Sequence, residues 1–280
     1  MLILLDGPMG TELAARGVST PLPLWSAEAN ITHPEVVAEI HRDYAAIGAT
    51  VHTANTFRTK RRQAGDRWEL LARRAVEIAR ASILPSHRLA GSIAPLEDCY
   101  RPDRSPPEGL ARAEHRELAR MLAALGVDLL LCETFAHVGE ALIAVEEAVA
   151  TGVETWVAFS AGPNADLLTP EEIHAAARSA AERGARALLV NCIPASKTLP
   201  FVSALAGLGL PFGAYANAGA VSEGLGFGFA KDNAPSVYVD YAREWIAAGA
   251  TLIGGCCGTG PAHLQALAKA FHFDQGPCRA

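Results

Sequence analysis

Gly126-Val127-Asp128-Leu129-Leu130-Leu131-Cys132-Glu133-Thr134 is the stretch on which the fold turns. An apolar run too short for a helix follows a glycine and stops at a carboxylate. That pattern describes a strand buried on both faces, as in a parallel sheet. Residues 108–125 before it and 138–150 after it carry Ala, Leu, Arg and Glu at helical spacing. The same unit recurs along the chain. Strands are expected at 2–6, 50–54, 89–94, 127–133, 155–160, 187–191, 212–217 and 251–255. Helices are expected at 34–47, 67–83, 108–125, 138–150, 170–183, 197–208, 235–248 and 261–271. Several of these helices begin with proline, whose missing N–H costs nothing in a first turn. Gly48, Gly126, Gly152, Gly184 and Gly249 stand just before a strand, where glycine suits the left-handed residue that closes a helix. Strands alternating with helices imply parallel pairing through crossover helices. An open doubly wound sheet shares this alternation. Eight strands and eight helices with no large remainder fit a closed barrel better, so the prediction is an α/β fold, a single (β/α)8 TIM barrel over residues 1–280 as one domain.

Bulk composition narrows the function. Half of the 280 residues are apolar, enough for a sizeable core, and the net charge is −6 without a run of five like charges. Neither a basic nucleic-acid footprint nor an acidic tail is present. No apolar stretch reaches the roughly 18 residues that cross a bilayer, so no membrane association is expected. Met1 to Leu5 run straight into Asp6-Gly7 and read as a buried strand, not a signal peptide, which places the protein in the cytoplasm. Six cysteines without a secretory signal then read as ligands or nucleophiles, not as a disulfide framework.

In a barrel the last residues of the strands converge on one rim. Those residues are Asp6, Thr53 to Asn55, Ser92, Glu133, Ser160, Asn191-Cys192, Asn217 and Cys256-Cys257. Adjacent Cys256 and Cys257 form a strained ring if oxidised to each other, so a stabilising disulfide is not expected. The flanking Gly254-Gly255 and Gly258 let the backbone bend so that both sulfurs face one point. With Cys192 they make three thiolates and an open position, the description of a catalytic zinc site. Thiolates favour Zn2+ or Cu(I) over oxygen-loving cations, and zinc holds a bound thiol as thiolate at neutral pH. A redox-active vicinal pair is the other reading of the doublet. Cys99, Cys132 and Cys278 are assigned to packing or the terminal tail. Asp6 and Glu133 read equally well as substrate-binding acids or as a rim ion pair and helix caps. Gly224-Leu225-Gly226-Phe227-Gly228 resembles part of a dinucleotide fingerprint but lacks the strand and helix that would frame one, and is expected to be a flexible loop or lid. His52, His137 and His263 are expected to be packed or solvated. Trp25, in the first long loop, is a candidate to touch substrate.

The run Ile253-Gly254-Gly255-Cys256-Cys257-Gly258-Thr259-Gly260-Pro261-Ala262-His263 resembles the C-terminal signature of the homocysteine S-methyltransferase family. Leu5-Asp6-Gly7-Pro8-Met9-Gly10-Thr11-Glu12-Leu13 resembles its N-terminal motif. Leu24-Trp25-Ser26, His33-Pro34-Glu35, Asn55-Thr56-Phe57, Ala90-Gly91-Ser92-Ile93, Cys132-Glu133-Thr134, Val190-Asn191-Cys192 and Tyr215-Ala216-Asn217-Ala218-Gly219 follow in the family's order, so the resemblance spans nearly the whole chain. It implies a (β/α)8 barrel in which Cys192, Cys256 and Cys257 carry Zn2+ and homocysteine sulfur fills the fourth position. It implies that Asp6 and Glu133 hold the homocysteine ammonium and that Gly7 and Thr53 help seat the amino-acid end. Asn217 is implied as a resting fourth ligand or as a prop for one.

Departures from the family pattern fall at the substrate end. Thr53 stands where some members carry Glu or Gln, Ala94-Pro95 replaces Gly-Pro, Ala216 replaces the proline of Tyr-Pro-Asn, and 160–168 lacks an Asp-Gly pair. The expected reaction is direct methyl transfer from a small onium donor to homocysteine, giving methionine. S-methylmethionine is favoured as donor over S-adenosylmethionine, because the chain is too short to carry folate and cobalamin domains and lacks the extension of betaine-dependent relatives. Other readings are the homocysteine module of a split cobalamin-dependent methionine synthase, or a methyltransferase for selenocysteine or another small thiol. A barrel that senses zinc or redox state without catalysis is the reading from a different class.

Overall fold

The computed structural model describes residues 1–219, 221–226 and 231–274. Its centre is one sheet of eight parallel strands: β1 (Ile3–Leu4), β2 (Val51–Ala54), β3 (Arg88–Ile93), β4 (Leu129–Phe135), β5 (Glu154–Phe159), β6 (Ala187–Pro194), β7 (Phe212–Asn217) and β8 (Leu252–Gly255). They pair in the order β1-β8-β7-β6-β5-β4-β3-β2. Between β1 and β2 the barrel closes through a Leu5–Val51 bridge, with Asp6 N donating to Val51 O (3.0 Å) and Thr50 N to Leu4 O (3.0 Å). This is the expected (β/α)8 barrel. The five glycines expected to close helices all take positive φ, from 74° at Gly126 to 110° at Gly48. No helix among the described residues is long and apolar enough to cross a membrane.

Strand parity divides the core into two shells. Leu129 and Leu131 of β4 join Leu5, Val51, Ala90, Trp156, Ala158, Leu189, Tyr215 and Leu252 inside the barrel. Leu130 and Cys132 face outward into the shell under the helices. Cys132 is fully buried there, as its assignment to packing requires.

The structure departs from expectation in three places that matter. β1 is a two-residue ladder where 2–6 was expected, because only Ile3 and Leu4 pair with β8 while Leu2 bridges Phe273 and Leu5 bridges Val51 as isolated pairs. β4 and β6 run on past 133 and 191 to Phe135 and Pro194, each through a register shift. The helix expected at 197–208 is a 3-10 turn (Ala195–Lys197) and a short helix (Leu199–Ala204), followed by Gly207 and Gly209 at positive φ.

Between β7 and β8, Gly213 pairs with Leu252 so closely that a Cβ on Gly213 would stand 1.8 Å from the Leu252 carbonyl oxygen. Backbone cannot step aside as a side chain can. Gly213→Ala is therefore expected to destabilise the barrel by about 1–3 kcal/mol, the usual cost of forced overpacking. Thermal melting checks this, and an unchanged midpoint would contradict it.

Candidate active site

The C-terminal ends of the strands open onto a cavity of about 300 Å³. Parity sets most of its floor. On β2, β3 and β4 the interior residues Val51, Ala90 and Leu131 are followed two positions later by Thr53, Ser92 and Glu133, all of which line the cavity. Cys256 continues the interior face of β8 and packs against the inner core cluster.

Cys192 breaks the rule. It follows the interior Leu189 by three positions, so a regular strand would point it outward. A register shift in β6 between Asn191 and Pro194 coincides with φ of 54° at Cys192, which swings its thiol to the cavity wall. Bulges next to active sites re-aim side chains in this way. A matching shift in β4 puts Thr134 at φ 65°. Left-handed backbone at non-glycine residues costs of order 1–3 kcal/mol and persists only where surroundings enforce it. Here they do. Asn191 Nδ2 donates to Thr134 Oγ1 (2.8 Å), Thr134 N donates to Asn191 Oδ1 (3.1 Å), and Thr134 Oγ1 and Asn191 Nδ2 lie 3.8 and 3.6 Å from the Cys192 sulfur.

On the other side, the backbone of the Cys256-Cys257 turn is held by Cys256 N to Ala216 O (2.8 Å), Ala218 N to Cys257 O (3.0 Å) and Thr259 Oγ1 to Cys256 O (2.7 Å). Gly258 completes the turn at φ 81°. Gly254 and Gly255 serve close approach, not the bend expected of them. A Cβ would meet Leu5 Cβ at 2.7 Å in the first and Thr259 Oγ1 at 2.3 Å in the second.

The sulfurs of Cys192, Cys256 and Cys257 all lie within 4.8 Å of one another, unbridged by any disulfide. Hydrogen bonds from Cys192 and Cys256 hold the Cys257 thiol well below its ordinary value. Hydrogen bonding to Cys192 and Cys257, with burial, holds Cys256 well above. Three thiols this close, one buried and two half-buried, do not ionise together readily without a cation among them. The donor set fits a soft or borderline divalent ion. Nearby on β7, Asn217 Oδ1 is buried without a hydrogen-bond partner, although Asn217 does not line the cavity. Asp6, His41 and His52 form a second set of closely spaced ligand atoms. That set offers nitrogen and oxygen, and neither histidine lines the cavity. His52 Nε2 is engaged with Ala49 O (2.9 Å) and His87 Nδ1 (3.1 Å). His263 is buried and bonds Leu225 O, whereas His137 is exposed and accepts from Glu140 N as a helix cap, so one is packed and the other solvated.

Two buried carboxyls share the cavity wall with the sulfurs, and a third, Asp98, is exposed at its edge. Asp6 accepts from Thr53 N (2.8 Å) and Thr53 Oγ1 (3.3 Å), yet burial pushes its carboxyl up to about 8. Glu133 is raised by burial, against hydrogen bonds from Ser92 Oγ and Tyr215 OH (3.0 Å). Gly7 lines the same wall, where a Cβ would strike the Tyr44 ring at 2.6 Å. The structure thus brings Asp6, Gly7, Thr53 and Glu133 together with the three cysteines. The roles of Ser92, Thr134 and Tyr215 in holding these groups escaped sequence reasoning, although parity alone marks Ser92 and Tyr215 as inward-facing.

The mouth is built by the segment between β1 and β2 and by the loops after β2 and β3. Trp25 and Phe57 meet edge to face there with centroids 6.0 Å apart, and Gly10 leaves room for the Trp25 ring, which a Cβ would approach to 2.1 Å. Cys99, assigned from sequence to packing, is only half-buried and lines the cavity with Tyr100. Burial pushes the Cys99 thiol up to about 12, a poor state for a ligand. The charge of Cys192, and then burial, raises the Tyr100 hydroxyl well above its ordinary value. Lys60 Nζ donates to the carbonyls of Phe57 (2.9 Å), Ala94 (3.4 Å) and Pro95 (2.8 Å), tying the two loops together. Glu140 anchors the second loop by accepting from Leu96 N (2.7 Å), Ser105 Oγ (2.7 Å) and His115 Nε2 (3.1 Å). In the run 224–228, Leu225 is buried against Ala218 and Ala234, whereas Phe227 and Gly228, like Cys278, lie outside the described residues.

Comparison with known proteins agrees with this geometry. The family model described as homocysteine S-methyltransferase matches residues 3–271. The Homocysteine S-methyltransferase of Escherichia coli (strain K12) is 31% identical, over 95% of this chain and 94% of that one. S-methylmethionine–homocysteine S-methyltransferase BHMT2 of Mus musculus is 29% identical over 90% of this chain and 74% of its own length. The solved structure of the homocysteine methyltransferase MmuM from Escherichia coli in its metallated form superposes with a TM-score of 0.79 at 29% identity, covering 96% of each chain.

Proposed function

This chain belongs to the homocysteine S-methyltransferase family, and from that premise we propose that it transfers a methyl group from S-methylmethionine to homocysteine over a zinc ion held by Cys192, Cys256 and Cys257. The observation that carries the reading is the meeting of three sulfurs, remote in sequence, at a cavity wall that also presents two buried carboxyls. When bound, zinc supplies a thiolate acceptor at neutral pH by lowering the thiol pKa.

The protein's own groups do the rest. Asp6 and Glu133 accept the homocysteine ammonium, whose charge compensates two carboxylates that burial otherwise disfavours. Thr53 fixes Asp6, and Ser92 with Tyr215 fixes Glu133, so both acids are oriented before substrate arrives. Gly7 lets the acceptor's backbone end lie against the wall. The rings of Trp25, Phe57 and Tyr100 line the space beyond and suit a positive onium centre. In the displacement the donor's S–CH3 bond breaks, its electron pair stays on the donor sulfur, and the methyl joins the acceptor sulfur, whose proton has already left. Holding donor and acceptor in line contributes several kcal/mol. A cavity of about 300 Å³ suits two small amino acids better than a donor carrying an adenosyl group.

A donor screen by mass spectrometry on zinc-replete enzyme tests this. Methionine is expected from homocysteine with S-methylmethionine, with slower or no conversion from S-adenosylmethionine. If zinc is bound and no onium donor yields methionine, the reading is wrong.

A further inference from the structure

Arg58 lines the cavity beside Phe57, away from the sulfurs' own hydrogen-bond partners. It stands in a stretch rich in arginine whose other members all find carboxylates. Arg61 pairs with Glu117 (2.7 Å), Arg62 with Glu97 (2.7 Å) and Arg67 with Glu28 (2.8 Å). Arg58 pairs with none of the described carboxylates, and its Nε is buried with no hydrogen-bond partner. A buried guanidinium N–H left unmatched is costly unless a ligand supplies the acceptor. The guanidinium fork matches a carboxylate with two parallel hydrogen bonds.

Position decides which carboxylate. The acids suited to the acceptor's ammonium, Asp6 and Glu133, are buried at strand ends beside the sulfurs. Arg58 follows Phe57 on the loop above them, at the half-buried mouth shared with Trp25. In-line transfer puts the donor on the outer side of the acceptor sulfur, toward that mouth.

We propose that Arg58 binds the carboxylate of the methyl donor, with Phe57 and Trp25 facing its onium centre, so that the site selects onium compounds that carry a carboxylate. This rests on the methyl-transfer reading above and assigns a residue and a selection rule to its donor half. Sulfonium and quaternary ammonium amino acids share the required chemistry, and S-methylmethionine and betaine serve as the two probes that separate them.

Calorimetry on wild-type enzyme compares S-methylmethionine, betaine and the decarboxylated sulfonium (3-aminopropyl)dimethylsulfonium. Wild type is expected to prefer S-methylmethionine over its decarboxylated counterpart by roughly ten- to a hundredfold, the range for hydrogen bonds to a charged group. Arg58→Met is expected to erase that preference and Arg58→Lys to restore part of it, while the KM for homocysteine stays within a factor of two or so. Equal binding of both sulfoniums by wild type overturns the proposal without need of a variant. So does a homocysteine KM that rises in Arg58→Met while the donor preference persists, since Arg58 would then serve the acceptor. Turnover measured alongside separates the two ideas: carboxylate-dependent binding without methionine formation refutes the reaction and not the subsite.

Discussion

Cys257→Ser is expected to lose bound zinc and to lower methionine formation by more than a hundredfold, with little change in melting temperature. Removing an outer-shell partner of a metal ligand typically costs about ten- to a hundredfold, and removing a ligand itself must exceed that. Serine keeps the volume but replaces a thiolate donor with a hydroxyl that does not ionise near neutral pH. The turn that carries Cys257 is held by backbone bonds to Ala216 and Ala218 that do not involve the thiol. Metal analysis with an activity assay checks both halves of the expectation. A Cys257→Ser protein with full zinc and full turnover removes the three-sulfur centre from the mechanism.

Glu133→Gln is expected to weaken homocysteine binding by about 2–5 kcal/mol, the cost of breaking a buried charge pair, or roughly thirtyfold to several thousandfold in affinity. Glutamine can still bond Ser92 and Tyr215, so the loss isolates the charge. The pH dependence follows from burial. Burial raises the Glu133 carboxyl above its ordinary 4.5, and only the ionised form attracts an ammonium. Affinity for homocysteine is therefore present at high pH and lost as pH falls through the raised value, in a limb lying above the ordinary glutamate range. The variant should bind weakly and lose the part of that limb set by Glu133, keeping the part set by Asp6, whose carboxyl burial pushes up to about 8. An affinity in Glu133→Gln equal to wild type across the pH range assigns Glu133 to structure alone.

Much of this was legible because its physical code is local. Helix-closing glycines, apolar runs of strand length and carboxylates at strand ends each depend on a few neighbouring residues, and together they predict the barrel and its rim. What was not legible depends on exceptions to period two. A regular β6 sends Cys192 outward, away from Cys256. Only the bulge at Asn191 to Pro194, and its companion in β4, turns it inward. The partners that stabilise those bulges, Asn191 and Thr134, are 57 residues apart in sequence. Arg58 was invisible for another reason. Its meaning lies in the carboxylates it fails to meet, which spacing cannot reveal among neighbours that do meet them.

Lys60 offers its amino group to three carbonyl oxygens drawn from two successive loops, and so knots those two loops together. Two of the loops that frame the mouth are thereby fastened to each other, and the wall they form is set before any donor arrives. Choice among donors then depends on what that wall offers to the molecule that enters beside it.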